Sequence, residues 1–194
     1  DPRLISLFER SFKAKNTFVP HLKYSKNKKE IKKFQKVIYI GSLGRLFRNN
    51  PSDFPKKNFL NADEKKCRDL KKKLDAISPK YKIGIAWRSR TTDLATNKSV
   101  DLNLLLPILK LNQFTFINLQ YGDTAKEVND FYETTKIKIL TLDDIDLFDD
   151  FESQAALLKN LDLFISVSNS TAHIAGALGV RTWVIKPKNH VTFH

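Results

Sequence analysis

Short apolar runs alternate with amphipathic stretches along most of the chain, and that alternation is its clearest structural signal. Five runs read as buried strands: KIGIAW at 82–87, FTFINLQ at 114–120, IKIL at 137–140, LDLFISV at 161–167 and TWVIK at 182–186. Helical spacing fills the intervals. Leu102, Leu105, Leu106 and Leu109 share one face behind a capping Asp101, and helices are predicted at 124–135, in QAALLKNL and over 171–178. Gly179 is the expected stop of the last one. A charged helix at 63–76 opens with Asp63 and Glu64, the sign its N-terminal dipole favours. Strands and helices alternating at this spacing predict an α/β fold, a Rossmann-like doubly wound parallel sheet.

The first 60 residues are less regular. Residues 3–13 place Leu4, Leu7, Phe8 and Phe12 on one helical face, and Phe18-Val-Pro follows as a short extended piece. A Lys-rich helix is predicted at 27–36, a strand at VIYI (37–40) and a turn at Gly41 to Gly44. The two prolines of NNPSDFPKKN mark a domain edge. This divides the chain into 1–60 and 61–194, and both chain ends fall inside structured patterns, as expected of a fragment truncated at its end.

Charge sharpens the division. The net charge is +13, but residues 1–82 carry +15 and the remainder −2. The excess is Lys spread along helical stretches rather than interleaved with aromatics, the pattern of a solvated helix face more than of a nucleic-acid groove. No apolar run approaches the roughly 18 residues of a membrane span. The lone Cys67 has no internal disulfide partner, which fits a reducing, cytoplasmic setting.

In parallel sheets of this kind ligands gather beyond the carboxyl ends of the strands, so the residues after each strand are the candidates for chemistry. After LDLFISV come Ser168, Asn169, Ser170 and Thr171, then His173 in the first helical turn. Free N–H groups and a positive dipole end make that position suitable for a phosphate or diphosphate, although Asn169 or Ser170 can equally serve as a plain cap and His173 as a structural side chain. Arg88 follows KIGIAW, and Lys98-Ser99 precedes the next helix; both offer cations to a diphosphate or to solvent. Gln120 and Tyr121 follow FTFINLQ, an amide and an aromatic that suit a base or ribose edge. There is no Walker loop, dinucleotide fingerprint, nucleophile elbow or Cys/His pair at metal-ligand spacing, and DDIDLFDD lacks the Gly and spaced Glu of a calcium loop.

Taken in order, KIGIAWRSR, NKSVDL, FINLQYGD and QAALLKNLDLFISVSNSTAHIAGALGVRTWVIKP resemble the C-terminal half of a glycosyltransferase of the two-domain GT-B fold. The pattern is similar to that of bacterial proteins in which tetratricopeptide repeats precede such a domain, related to heptosyltransferases and more distantly to O-GlcNAc transferases. DPRLISLFERSF and YIGSLGRLFR resemble the tail of the N-terminal, acceptor-side half. The resemblance implies a nucleotide-sugar donor on 61–194, with its diphosphate contacted by Arg88, Lys98, Ser99, Ser168, Asn169, Ser170, Thr171 and His173 and its base or ribose near Gln120 and Tyr121. It implies an acceptor glycan or protein and transfer without a metal cofactor. Heptosyltransferases carry Asp where this chain has Ser168, so the donor's identity does not carry over, and no residue matches a catalytic base. Two rival readings are a non-catalytic scaffold of the same fold and a nucleic-acid binder using the basic first 82 residues.

Overall fold

The computed structural model describes residues 1–13, 18, 32–54, 57–89 and 98–188. Four strands, β1 (Tyr81–Ala86), β2 (Phe114–Asn118), β3 (Leu163–Val167) and β4 (Thr182–Ile185), form one parallel sheet in the order β2-β1-β3-β4. Ile85 in β1 lies opposite Asn118 on one side and Ile165 on the other. Leu140 makes a single parallel bridge to Ile117 on the outer side of β2. The chain thus winds outward from β1 through β2, then restarts on β1's other side with β3 and β4. That reversal leaves a crevice at the carboxyl ends of β1 and β3.

Among the described residues the helices are α1 (Ile5–Ser11), α2 (Ile40–Phe47), α3 (Glu64–Ile77), α4 (Leu106–Leu109), α5 (Ala125–Thr135), α6 (Phe151–Lys159) and α7 (Ser170–Ala177). β1, β2 and β3 bury residues on both faces, so successive residues feed opposite cores, whereas β4 at the sheet's edge leaves Trp183 and Val184 exposed. Ile83, Ile85 and Trp87 pack with Phe116, Leu163, Ile165 and Phe131 of α5. Ala86, Ile117, Leu119 and Phe164 pack instead with Leu74 of α3, Leu157 and Leu158 of α6 and Ile174 of α7. Leu7 of α1 is fully buried in this second core, and Leu60 lies there too. Each such side chain contributes about 1.5–3 kcal/mol by burial, so the two-sided layering is the main source of cohesion. Gly84 in mid-β1 is required by it: a Cβ there would meet Leu161 Cδ1 at 2.5 Å and Leu119 Cδ1 at 2.8 Å.

The doubly wound parallel α/β fold predicted from the sequence is the fold observed. The local differences have physical causes. VIYI is not a strand: residues 36–39 have no regular structure, and α2 begins at Ile40 and runs through the expected turn at Gly41 and Gly44. Ile40, Leu43 and Phe47 recur at i, i+3 and i+7, a helical period that begins at the last residue of VIYI. Of the Lys-rich helix expected at 27–36, residues 27–31 lie outside the described set and 32–35 form turns and bends. IKIL contributes only the Leu140 bridge. The helix from Asp101 is a 3-10 turn (Leu102–Leu105) followed by one α-turn, with Pro107 in its first turn. Of the extended Phe18-Val-Pro, only Phe18 is described, edge-on to Phe8 at 5.5 Å. No helix among the described residues is long and apolar enough to cross a membrane.

Candidate functional site

The carboxyl ends of β1 and β2 are stitched together by one amide. Gln120 is 3% exposed, and its Oε1 accepts from the backbone N–H of Trp87 (3.0 Å) and of Arg88 (2.7 Å). Its Nε2 donates to the Tyr121 carbonyl at 3.1 Å, which fixes which way the amide points. Below it, Asn118 Oδ1 accepts from the Gln120 N–H at 2.9 Å, while Asn118 Nδ2 donates to Thr124 Oγ1 at 3.0 Å. A buried amide can satisfy donors from two strands at once, and it does so where the strands diverge.

The exit of β1 is held on its other side by the segment that returns at 98–100. Ser99 Oγ accepts from the Ser89 N–H at 3.1 Å, and the Val100 N–H donates to the Trp87 carbonyl at 2.8 Å. These two bonds bring the segment at Ser99 and Val100, with half-buried Lys98 just ahead of it, back to the exit of β1, although nine residues separate Arg88 from Lys98 and 90–97 lie outside the described set. The Arg88 side chain turns toward α5: its Nη2 lies 3.1 Å from Glu127 Oε2 and donates to the Asp123 carbonyl at 3.2 Å. The Glu127 contact is an ion pair without hydrogen-bond alignment, since Oε2 is buried and receives no aligned donor among the described residues. The other oxygen, Oε1, accepts from Trp87 Nε1 at 2.8 Å.

At the end of β3 the chain turns directly into α7. Asn169 is the N-cap: its Oδ1 accepts from the Ala172 N–H at 3.0 Å and from Ser166 Oγ at 3.3 Å. Its Nδ2 is buried with no hydrogen-bond partner among the described residues. Ser168 and Thr171 are buried, whereas Ser170 and His173 are exposed. The cap reading of Asn169 is therefore realised. Ser170 and Thr171 are left at the first turn, where backbone N–H groups lack intrahelical partners.

Three cavities surround these strand ends. The largest, about 750 Å³, lies beyond β2 and is lined by Asn118, Gln120, Thr124, Thr141, Leu142 and Phe148 among others. A smaller one, about 200 Å³, brings together Arg3, Tyr121, Phe148, Gln154, Ser170 and Thr171. Leu147 and Phe148 line both, so the two adjoin. The third, about 460 Å³, holds Arg88 with Asp101, Asp123, Lys126 and Glu127. The structure thus gathers Tyr121, Ser170 and Thr171 at one place and Gln120 next to it, and it sets the Arg88 guanidinium in a separate, acid-rich pocket. Lys98, Ser99, Ser168, Asn169 and His173 line none of the three.

Most residues lining these cavities are absent from the sequence-derived candidates, and Arg3, Glu127 and Asn118 are the instructive ones. Arg3 reaches in from the amino terminus, its guanidinium 5.1 Å from the Phe148 ring and 4.9 Å from the Phe151 ring. Nothing in a local reading joins residue 3 to residue 170. Glu127 sits mid-helix with no motif around it. Asn118, by contrast, was visible as a polar residue inside the apolar run FINLQ, a signal of a buried hydrogen-bond hub.

No protein-family model matches the chain. Protein FlbA of Caulobacter vibrioides is 30% identical over 193 residues, an alignment that takes in 94% of this chain and 32% of FlbA. The chain therefore spans only about a third of that relative. Among solved structures, the E. coli ADP-heptose LPS heptosyltransferase II superposes with a TM-score of 0.50 at 12% identity, covering 71% of this chain and 43% of that one. The fold is accordingly the Rossmann-like α/β architecture found in a GT-B glycosyltransferase.

Proposed function

We propose that the chain is the donor-binding part of a glycosyltransferase, which holds a nucleotide diphosphate sugar for transfer to an acceptor hydroxyl. One observation carries this reading. At the reversal point of the sheet, the first turn of α7 presents Ser170 and Thr171 to a cavity that also holds Tyr121 and Arg3 and that adjoins a larger cleft. A helix N-terminus with hydroxyls and a nearby cation favours a diphosphate, and a cleft of about 750 Å³ beside it has room for a nucleoside.

In this reading the base and ribose occupy the cleft beside Gln120, whose amide shapes the strand ends. The diphosphate lies at Ser170 and Thr171, and Arg88 and Lys98, on the loop segments that follow β1, are the cations proposed to turn toward it. Preorganised N–H groups and cations there would stabilise the leaving diphosphate as charge develops on it. The acceptor, a glycan or protein, would approach from the acceptor-side half to which residues 1–60 contribute. Kinship with bacterial glycosyltransferases that follow tetratricopeptide repeats, and with O-GlcNAc transferases, belongs to the same proposal.

A thermal-shift panel of UDP, GDP, ADP and their sugars tests it: stabilisation by at least one is expected, and silence across the panel favours a non-catalytic scaffold. Arg88→Ala and Lys98→Ala should each weaken binding of the stabilising nucleotide about tenfold, the loss expected of one charge-assisted contact. Unchanged affinity in calorimetric titration would remove those residues from the site.

A further inference from the structure

We propose that Glu127 is an affinity-setting residue of the site, one that holds Arg88 away from the diphosphate until the ligand draws it across. The inference rests on the donor-binding reading above. Its starting point is a mismatch between backbone and side chain. The β1–β3 register ends at Ala86 opposite Ser166, so Arg88 and Ser168 each follow the last paired position of adjacent strands by two residues and leave the sheet at the same edge. The backbone therefore carries Arg88 out at the same edge of the sheet as the turn from β3 into α7. Its guanidinium nevertheless lies in the pocket toward α5, against Glu127 and the Asp123 carbonyl.

Glu127 is itself held in place. Its Oε1 is anchored by the indole N–H of Trp87, a side chain with no solvent exposure, so the carboxylate cannot follow Arg88 if the arginine swings away. Arg88 is the mobile partner, with 42% of its side chain exposed, and its competing contacts are one unaligned ion pair and one carbonyl. A diphosphate offers the guanidinium a bidentate contact and greater charge. Binding then exchanges one ion pair for a stronger one, and Glu127 sets how much of the new interaction appears as affinity.

The test is a titration of inorganic pyrophosphate into the wild-type chain, Glu127→Gln, Arg88→Ala and the double variant, with thermal melts to verify folding. Glu127→Gln keeps an acceptor for the Trp87 indole and removes the charge. It should bind pyrophosphate roughly two- to fivefold more tightly than wild type, the range of a half-exposed ion pair. The gain should vanish in the Arg88→Ala background. Affinity unchanged or reduced in Glu127→Gln, or a gain that survives without Arg88, overturns the restraint and leaves donor binding standing. If neither wild type nor Glu127→Gln binds pyrophosphate or any nucleoside diphosphate, both readings fall. A measurement free of mutation complements these: the Arg88 Nε–H resonance of the wild-type chain should shift on adding pyrophosphate, and a signal that stays in place at saturation overturns the proposal.

Discussion

Gln120 shows how much a single side chain can organise. Its one carboxamide oxygen satisfies the Trp87 and Arg88 N–H groups, and through them sets the direction in which β1 leaves the sheet. Gln120→Leu keeps the volume but strands both donors, at about 1–3 kcal/mol for each that water cannot reach. We expect urea unfolding to show a loss of about 2–4 kcal/mol, together with a weaker response to nucleotide because the Arg88 backbone is no longer fixed. A loss confined to binding, with stability intact, would mean that Gln120 acts on ligand rather than on the strand ends. The Asn169 cap is of a different kind: its Oδ1 holds α7 at its start, yet its buried Nδ2 has no hydrogen-bond partner among the described residues.

Among the elements, two of the helices that flank the sheet, α3 and α6, start on acidic caps. Asp63 accepts from the Lys66 N–H at 2.8 Å to start α3, and that bond holds its carboxyl below the usual range. Asp150 starts α6 in the same way. Burial pushes its carboxyl up, but the two bonds from Ser153 and the nearby Lys66 outweigh this and leave it lowered. Both groups have folded-state pKa values below those of the unfolded chain. Their contribution is therefore complete above the unfolded value, about 3.9 for Asp, and is lost as pH falls through the folded value. The melting temperature should be nearly level from pH 7 to about pH 5 and should decline below about pH 4. Asp63→Asn should flatten part of that decline; an identical acid profile would show that the caps do not govern it. α2 depends on no such device. Its N-cap Tyr39 makes no side-chain cap bond, and its Ile40, Leu46 and Phe47 are exposed.

For the molecule as a whole, part of the positive charge among the described residues is already engaged by carboxylates. Lys66, Lys71, Lys73 and Lys82 on and beside α3 pair with Asp150, Asp75, Asp144 and Asp75 respectively. Lysines already engaged by carboxylates have less counterion to release on binding a phosphate backbone. Any retention on double-stranded DNA should be confined to low salt and absent at 150 mM, measurable by fluorescence anisotropy at two ionic strengths, about 20 mM and about 150 mM. Tight binding that persists at the higher salt would restore the nucleic-acid reading.

The sequence alone determined the alternation of β1 to β4 with their helices, the parallel doubly wound class and the stop at Gly179, whose φ of 75° suits glycine. These follow from periodicity and from residue-specific backbone preference, which are local properties. It also marked Arg88, Gln120, Ser170 and Thr171, because a residue directly after a buried strand must lie at the sheet's edge. Only the tertiary structure decided what those side chains meet. Arg3 lies beside Thr171, Glu127 faces Arg88, and Gln120 is sealed between two strands rather than open to solvent. Such pairings depend on which strand ends adjoin and which way each helix crosses the sheet, distances in space that spacing along the chain does not encode. The helix at Ile40–Phe47 makes the same point from the other side: VIYI is apolar enough for a strand, yet among the described residues it pairs with none and its last residue opens a helix.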